Sequence, residues 1–296
     1  MNLFDWDKPI LKITKPVRLI ELFAGVGSQA MAMKRLGVPF EHYRICEFDR
    51  FAVASYNSIH STAFVPTDIR SLTAEDLGIE ETDKYTYILC YSFPCQDLSV
   101  AGRGKGMKRG TRSGLLWEVE RLLRECNELP QVLLMENVPM VVADKHIDDF
   151  AKWCTFLESL GYTNNWKVLN AKDYGVPQNR ERCFMVSFLG DYAYEFPAPV
   201  KLTKTMEDLL EDDVDAKFYL QGETADKLCS QLIQVERERE RERVSHTVRS
   251  NGRASLDNKH TWDIVLVRQS QGNSLSTAKD SQGRSTQGTT KDYATN

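Results

Sequence analysis

A single cysteine stands between an apolar segment and a strongly basic one. Residues 92–102 read SFPCQDLSVAG, and the stretch RGKGMKRGTR at 103–112 is rich in glycine and contains no acidic residue. A thiol held behind Pro94 at the edge of a basic loop suggests a nucleophile beside a polyanion, and hence covalent chemistry on a nucleic-acid base. A small thiol at the end of a buried strand also arises from ordinary core packing. The assignment of Cys95 therefore depends on the rest of the chain.

A glycine-containing turn supplies a second chemical feature. FAGVG at 23–27 lies between an apolar run and an amphipathic segment, where glycines let the backbone approach a ligand and a helix N-terminus favours negative groups. Glu47 ends the next apolar run, where a carboxylate can accept both hydroxyls of a ribose. The third glycine of the dinucleotide motif G-x-G-x-x-G is absent. An adenosine cofactor without a pyrophosphate fits better, and S-adenosyl-L-methionine is the candidate.

The elements that must position these groups follow from an alternation of apolar runs and amphipathic segments. Strands are predicted at 18–23, 42–48, 85–91, 132–136 and 182–189, and helices at 28–37, 50–57, 115–126 and 146–161. The alternation predicts an α/β fold with a Rossmann-like, mostly parallel sheet and helices on both faces. In such sheets ligands bind beyond the carboxyl ends of the strands. The glycine turn, Glu47, Cys95 and Glu136 each follow a strand, so we expect them to converge on one edge. Glu136 is interpreted as functional rather than as a capping or salt-bridged acid.

Composition narrows the class of protein. A chain of 296 residues can form one large domain, or one large and one small domain. No apolar run reaches the length of a membrane span, and the N-terminus lacks the apolar core of a signal peptide. Seven cysteines without CxxC spacing favour reduced thiols in a cytoplasm over a disulfide framework or a metal site. The net charge of −4 does not suggest a nucleic-acid-binding protein, but the five cations of 101–112 form a local patch that can neutralise phosphates.

The sequence changes character beyond Pro197. Residues 197–213 read as a proline-punctuated linker with a short acidic helix, and residues 236–243 are four Glu-Arg repeats. Because neither a helix nor a strand would bury such repeats, we interpret them as a solvated arm or loop. Residues 268–296 contain almost no apolar side chains, and this tail is not expected to fold alone.

Seven blocks together resemble the bacterial and phage DNA (cytosine-5)-methyltransferases. They occur in the family's order and span residues 18 to about 190: ELFAGVGSQ (21–29), CEFD (46–49), DIR (68–70), SFPCQDLSVAGRGKG (92–106), TRSGLLWE (111–118), MENV (135–138) and QNRER (178–182). The resemblance implies the fold of S-adenosylmethionine-dependent methyltransferases, a double-stranded DNA substrate, no membrane association and a bacterial or phage-infected cytoplasm.

The resemblance also implies residue roles. The residues implied to bind S-adenosyl-L-methionine are Phe23, Gly25, Gly27, Glu47 on the ribose, Phe48 against the adenine, Asp68 on the adenine amine, and Pro94. Cys95 would attack carbon 6 of a cytosine flipped out of the duplex, and Glu136 would bond the ring nitrogen and the exocyclic amine. Arg182 would contact the cytosine carbonyl, and Arg180 would support the thiolate. A surface ion-pair network with Glu181 is the alternative for both arginines.

DNA contacts are implied for a further set of residues. These are Gln96, Ser99, Arg103, Lys105, Arg112 and Gln178. The loop 102–112 would close over the DNA, with its glycines as hinges and its cations on the phosphates.

Two C-terminal blocks of the family are not evident. Residues 244–265 resemble the segment that leads into those blocks, and QGNS at 271–274 matches one of them only superficially. We therefore predict a catalytic domain at 1–195 and a small, partial target-recognition region with a polar tail at 196–296. Three origins stay open: a truncated chain, a frameshifted one, or half of a split enzyme whose second chain supplies the missing blocks.

Two other functions remain compatible with the sequence. One is a tRNA cytosine-5 methyltransferase of the same architecture. The other is an inactive remnant, or a subunit that acts by binding DNA and a partner chain. Stoichiometric cofactor binding by the purified chain would favour an enzyme over the remnant or subunit.

Overall fold

The computed structural model describes residues 8–95, 107, 111, 113–215, 217, 222–223 and 245–246. The predicted DNA contacts Gln96, Ser99, Arg103, Lys105 and Arg112 lie outside these residues, as do the Glu-Arg repeats and the polar tail. The chain divides into two compact units. The first comprises Met1–Asn170 and Glu181–Pro199, and the second comprises Ala171–Arg180 and Val200–Asn296.

The first unit is built on a six-stranded sheet. Its strands are β1 (Val17–Leu22), β2 (Phe40–Cys46), β3 (Thr86–Tyr91), β4 (Val132–Asn137), β5 (Tyr162–Asn170) and β7 (Glu181–Leu189). The order across the sheet is β2-β1-β3-β4-β7-β5. β1 to β4 pair in parallel, whereas β7 runs antiparallel to both β4 and β5. The predicted mostly parallel sheet is confirmed.

Helices cover both faces of this sheet. They are α1 (Ser28–Arg35), α2 (Arg50–His60), α3 (Ala74–Leu77), α4 (Leu116–Glu125) and α5 (Ile147–Ser159). Successive side chains of a strand point to opposite faces. Accordingly, Ile20 and Leu22 of β1 pack in one buried cluster with residues of α4 and α5, while Leu19 packs with Ala30 of α1. The strand β1 is therefore buried from both sides, which explains its nearly continuous apolar sequence.

The strand β5 and the direction of β7 were not predicted. β5 has the sequence YTNNWKVLN and lies at the edge of the sheet, with Trp166 and Val168 exposed. Because an edge strand with two partly solvated faces needs no apolar run, its sequence carries little strand signal. The apolar run of β7 predicts a buried strand but not its direction, since the same side chains are buried either way.

The second unit contains a two-stranded parallel sheet. β6 (Gln178–Asn179) pairs with β8 (Ser245–His246), and an isolated bridge joins Tyr174 to Val200. The predicted short acidic helix is a single 3-10 turn, Glu207–Leu209. Its first turn is stabilised by Asp208, whose carboxylate accepts a hydrogen bond of 2.6 Å from the backbone N–H of Thr205. In the part of the chain that the structure describes, no helix has the length and apolar character needed to cross a membrane.

Candidate active site

The register of the parallel strands aligns their carboxyl ends. The strand residues that lie side by side are Leu22, Cys46, Tyr91 and Met135. The residues that follow them in sequence form one row at the sheet edge, namely Phe23, Glu47, Ser92 and Glu136. The sheet thus brings four features together at the carboxyl ends of its parallel strands: the glycine turn, Glu47, the segment that leads to Cys95, and Glu136.

The turn between β1 and α1 has an unusual backbone. Phe23, Gly25 and Gly27 all have positive φ angles, of 58°, 54° and 80°. The N–H groups of Phe23 and Ala24 donate to the carbonyl of Cys46 at 2.7 and 3.2 Å, which ties the turn to β2. A Cβ added to Gly25 would meet no heavy atom within 4 Å. The space beside Gly25 is therefore open to a ligand.

Glu47 links this turn to the start of α2. One carboxylate oxygen accepts a hydrogen bond of 3.0 Å from the N–H of Gly25, and the other accepts one of 2.9 Å from the N–H of Asp49. A carboxylate offers about four lone-pair sites. Both oxygens therefore have acceptor capacity beyond these two bonds, and that capacity suits the paired hydroxyls of a ribose.

Two further residues are predicted to bind the cofactor: Phe48, which follows Glu47 directly, and Asp68, which lies after α2. The ring of Phe48 is 75% exposed and presents an apolar face to solvent. Asp68 accepts hydrogen bonds of 3.0 Å from the backbone N–H and from Nε of Arg70. The Arg70 side chain lowers the pKa of Asp68, so its carboxylate is ionised and can accept from an amine.

The segment that carries Cys95 is anchored from beneath. Phe93 is buried, and Pro94 and Cys95 are half-buried. The buried amide of Asn137 donates to the carbonyl of Phe93 at 3.0 Å, and its oxygen accepts from the N–H of Val138 at 2.9 Å. Asn137 thus fixes the loop before the cysteine to the end of β4. No role was predicted for Asn137 from the sequence. Its position directly after the apolar run VLLME is the sequence signal for a buried amide, which must find hydrogen-bond partners.

The basic loop has one described residue in its centre. Met107 is fully buried in the main core, and its carbonyl accepts a hydrogen bond from the indole N–H of Trp117. Met107 is therefore joined to α4 through its backbone carbonyl, while its apolar side chain belongs to the main core.

Glu136 and Arg182 form an ion pair. Nε of Arg182 lies 2.9 Å from Oε1 of Glu136, and the two side chains are 18% and 21% exposed. The guanidinium also donates to the backbone carbonyl of Glu181 at 2.7 Å. Because β7 runs antiparallel to β4, Arg182, the second residue of β7, lies at the end of the sheet where β4 stops. If β7 were parallel to β4, Arg182 would lie at the other end of the strands, about 20 Å from Glu136.

The other predicted arginine and the glutamine belong to the second unit. Gln178 lies in β6 and Arg180 directly precedes β7. The carbonyl of Arg180 accepts from the N–H of Ala171 at 3.0 Å, and its N–H donates to the carbonyl of Gln178 at 3.0 Å. The roles of these two residues stay predictions.

A buried polar cluster behind the turn was also missed. Glu21 of β1 is buried and accepts hydrogen bonds of 2.6 Å from the Tyr56 hydroxyl and 3.3 Å from the N–H of Ala30. Burial raises the pKa of Glu21, an effect that these two bonds oppose. His42 lies 2.8 Å from the same hydroxyl. An acid inside the apolar run RLIELF is the sequence signal for such a cluster.

Gly27 has no room for a side chain, and this gives a prediction for stability. A Cβ at Gly27 would lie 2.4 Å from Nε2 of His60 and 2.5 Å from Cε2 of Tyr56. Gly37 has a similar φ of +68° but nothing within 4 Å of an added Cβ. We expect Gly37→Ala to lower the free energy of unfolding by about 1 kcal/mol through backbone strain, and Gly27→Ala by about 1–3 kcal/mol more through overpacking. Urea unfolding measures both variants. Equal losses would contradict the contact with His60 and Tyr56.

Solved structures show which class of fold this sheet defines. The crystal structure of the S. pombe Dnmt2 methyltransferase matches with a TM-score of 0.57 at 23% identity, covering 73% of this chain and 67% of that one. A putative DNA modification methyltransferase from an E. coli prophage matches with a TM-score of 0.53 at 22% identity, covering 75% and 69%. The fold is that of the S-adenosylmethionine-dependent methyltransferases, as predicted.

Sequence comparison defines the family. Residues 17–294 match the family described as C-5 cytosine-specific DNA methylase. The type II methyltransferase M2.ScrFI of Lactococcus lactis subsp. cremoris is 36% identical, covering 70% of this chain and 71% of that protein. The orphan methyltransferase M.SssI of Spiroplasma monobiae is 34% identical, covering 70% and 68%. The chain belongs to the C-5 cytosine-specific DNA methylase family and is an enzyme of that family, which confirms the predicted resemblance.

Proposed function

We propose that this chain transfers a methyl group from S-adenosyl-L-methionine to carbon 5 of a cytosine flipped out of double-stranded DNA. The observation that carries the proposal is the shared sheet edge. There, the glycine turn with Glu47 stands in one row with the segment leading to Cys95 and with Glu136, which pairs with Arg182 at 2.9 Å. A cofactor held at the first two strands and a base held at the next two would then meet at this edge.

The residues of the first two strands fit an adenosine cofactor. The open space beside Gly25 lets the cofactor approach the backbone closely. The remaining acceptor capacity of Glu47 suits the ribose hydroxyls, and the exposed ring of Phe48 suits a stacked adenine. Asp68 would accept from the adenine amine, and Phe23, Gly27 and Pro94 complete the proposed contacts. When bound, the cofactor supplies an electrophilic methyl group on a sulfonium.

Cys95 is the proposed nucleophile. Its thiolate would add to carbon 6 of the cytosine, and the electron pair of the 5,6 double bond would then take up the methyl group at carbon 5, with S-adenosylhomocysteine as the other product. Loss of the proton at carbon 5 would return its electron pair to the ring, re-form the double bond and expel the thiolate. Flipping is required because a stacked ring does not expose carbon 6 to a side chain.

Glu136 and Arg182 are proposed to hold the flipped base. The ring nitrogen and exocyclic amine of cytosine would contact Glu136, which would accept from the amine and supply a proton to the ring nitrogen as charge builds on the ring. The neighbouring carbonyl oxygen would contact Arg182. The distance of 2.9 Å between Nε of Arg182 and Oε1 of Glu136 supports this arrangement, because the ring nitrogen and the carbonyl oxygen of cytosine are also adjacent. Arg180 would support the thiolate, and Gln178 and the residues of the basic loop would contact the DNA.

A transfer assay tests the proposed reaction. The purified chain, alone and together with a second chain that carries the two C-terminal family blocks, is mixed with S-adenosyl-L-methionine labelled in the methyl group and with unmethylated double-stranded DNA, at enzyme concentrations that reveal a single turnover. We expect label in the DNA, and bisulfite sequencing should locate it at carbon 5 of cytosine. Single-stranded DNA and tRNA are the parallel substrates. Label confined to tRNA, or found on adenine, would contradict the proposal.

A further inference from the structure

The cofactor turn rests on a histidine from the end of α2. His60 is buried, and its Nε2 lies 3.0 Å from the carbonyl oxygen of Val26, the residue between Gly25 and Gly27. On the other side of the ring, Nζ of Lys34 lies 3.1 Å from Nδ1. The imidazole thus bridges the turn before α1 and the last turn of α1 itself.

The chemistry of the two partners fixes the tautomer of His60. The Lys34 ammonium can only donate a hydrogen bond, so Nδ1 of His60 must accept it and carries no proton. The single N–H of a neutral imidazole is then on Nε2. That N–H points at a carbonyl oxygen, which can only accept. Both ring nitrogens are therefore satisfied by one tautomer, and this tautomer donates to the turn.

The surroundings of His60 hold the ring in place. The Tyr56 ring lies 4.4 Å and the His42 ring 4.9 Å from it, measured between centroids. His42 is bonded to the Tyr56 hydroxyl, which donates to Glu21. Burial and the nearby Lys34 ammonium lower the pKa of His42 to about 4, so His42 is neutral at physiological pH. The ring of His60 is therefore packed between neutral aromatic groups and cannot easily rotate away from the turn.

We propose that His60 is a positioning residue for S-adenosyl-L-methionine, acting through the carbonyl of Val26. Gly25 and Gly27 have no Cβ, so the peptide groups around Val26 rotate more easily than those between other residues. The hydrogen bond from His60 removes this freedom and keeps the N–H of Gly25 directed at Glu47. The inference rests on the proposed function, because it takes this turn to be the cofactor site.

Two substitutions separate the hydrogen bond from the packing. His60→Gln keeps an amide N–H near the position of Nε2, whereas His60→Phe keeps an aromatic ring but has no donor. We expect His60→Phe to weaken binding of S-adenosylhomocysteine roughly tenfold, the scale of one lost buried hydrogen bond. His60→Gln should stay within about threefold of the unsubstituted chain. At saturating cofactor, the single-turnover rate of methyl transfer should change by less than about twofold in both, because His60 does not contact the base.

Calorimetric titration with S-adenosylhomocysteine gives the affinities, and circular dichroism shows that each variant is folded. If His60→Phe does not fold, His60→Asn replaces it, because its shorter amide reaches the position of Nδ1 and not that of Nε2. Unchanged affinity in the variant without the donor would overturn the inference alone, as would equal losses in that variant and His60→Gln. Absence of any binding by the unsubstituted chain would overturn the proposed function, and the inference with it.

Discussion

Cys95→Ala is expected to abolish a covalent complex between the enzyme and DNA that carries 5-fluorocytosine at its target site. Fluorine at carbon 5 cannot leave as a cation, so after methyl transfer the thiolate cannot be expelled and the adduct persists. The unsubstituted chain should therefore give a denaturation-resistant band on gel electrophoresis that requires S-adenosyl-L-methionine. The alanine variant should give none, while DNA binding is retained because the proposed DNA contacts come from other residues.

Cys90→Ala is the matched control. Cys90 lies five residues earlier, inside β3, and its thiol is fully buried. Burial and the nearby Glu21 raise its pKa well above the ordinary value, so it is a thiol rather than a thiolate at neutral pH. The Cys90 variant should crosslink as the unsubstituted chain does. Crosslinking that survives Cys95→Ala, or that depends on Cys90, would show the assignment of the nucleophile to be wrong.

Glu136→Gln is expected to lower the rate of methyl transfer roughly a hundredfold to ten-thousandfold, the range for loss of an acid–base group. The amide keeps the shape of the side chain, but it cannot exchange a proton with the ring nitrogen or carry the charge that faces Arg182. Cofactor affinity should be nearly unchanged. Single-turnover kinetics measure the rate, and titration with S-adenosylhomocysteine measures the affinity.

Glu118→Gln provides the comparison for Glu136→Gln. Glu118 lies in α4 and pairs with Nε of Arg121 at 2.9 Å, with exposures of 27% and 31% for the glutamate and arginine side chains. The same chemical change is thus made in an ion pair of similar distance and exposure, and we expect no change in transfer rate. A fall in cofactor affinity as large as the fall in rate for Glu136→Gln would assign Glu136 to the cofactor instead.

The strands and the polar residues after them could be predicted from the sequence for a physical reason. A strand buried on both faces needs an apolar run, and a ligand site needs polar or glycine residues where that run stops. RLIELF followed by FAGVG, and VLLME followed by Asn137, show both signals in a few adjacent residues. The site roles built on these signals remain predictions, because they concern ligands.

What the sequence did not predict depends on tertiary context. The reversed direction of β7 leaves no mark on its own residues, yet it determines that Arg182 reaches Glu136. The strand β5 is polar because it lies at an edge. The contact of His60 with Val26 joins positions 34 residues apart and involves a backbone carbonyl, which no side-chain pattern reveals.

The first departure of the chain from the first unit and its return to that unit occur at paired positions of two neighbouring strands. Asn170 ends β5 and Glu181 begins β7, and these two residues are partners in the antiparallel register. The intervening segment, Ala171–Arg180, belongs to the second unit. A connection whose two ends are held together by strand pairing can be lengthened at a small cost in loop-closure free energy, about 0.6 kcal/mol for each doubling of its length. An insertion in this segment would therefore leave the strand ladder that keeps Arg182 within reach of Glu136 unchanged, whereas the proposed roles of Gln178 and Arg180 constrain the sequence of its last residues.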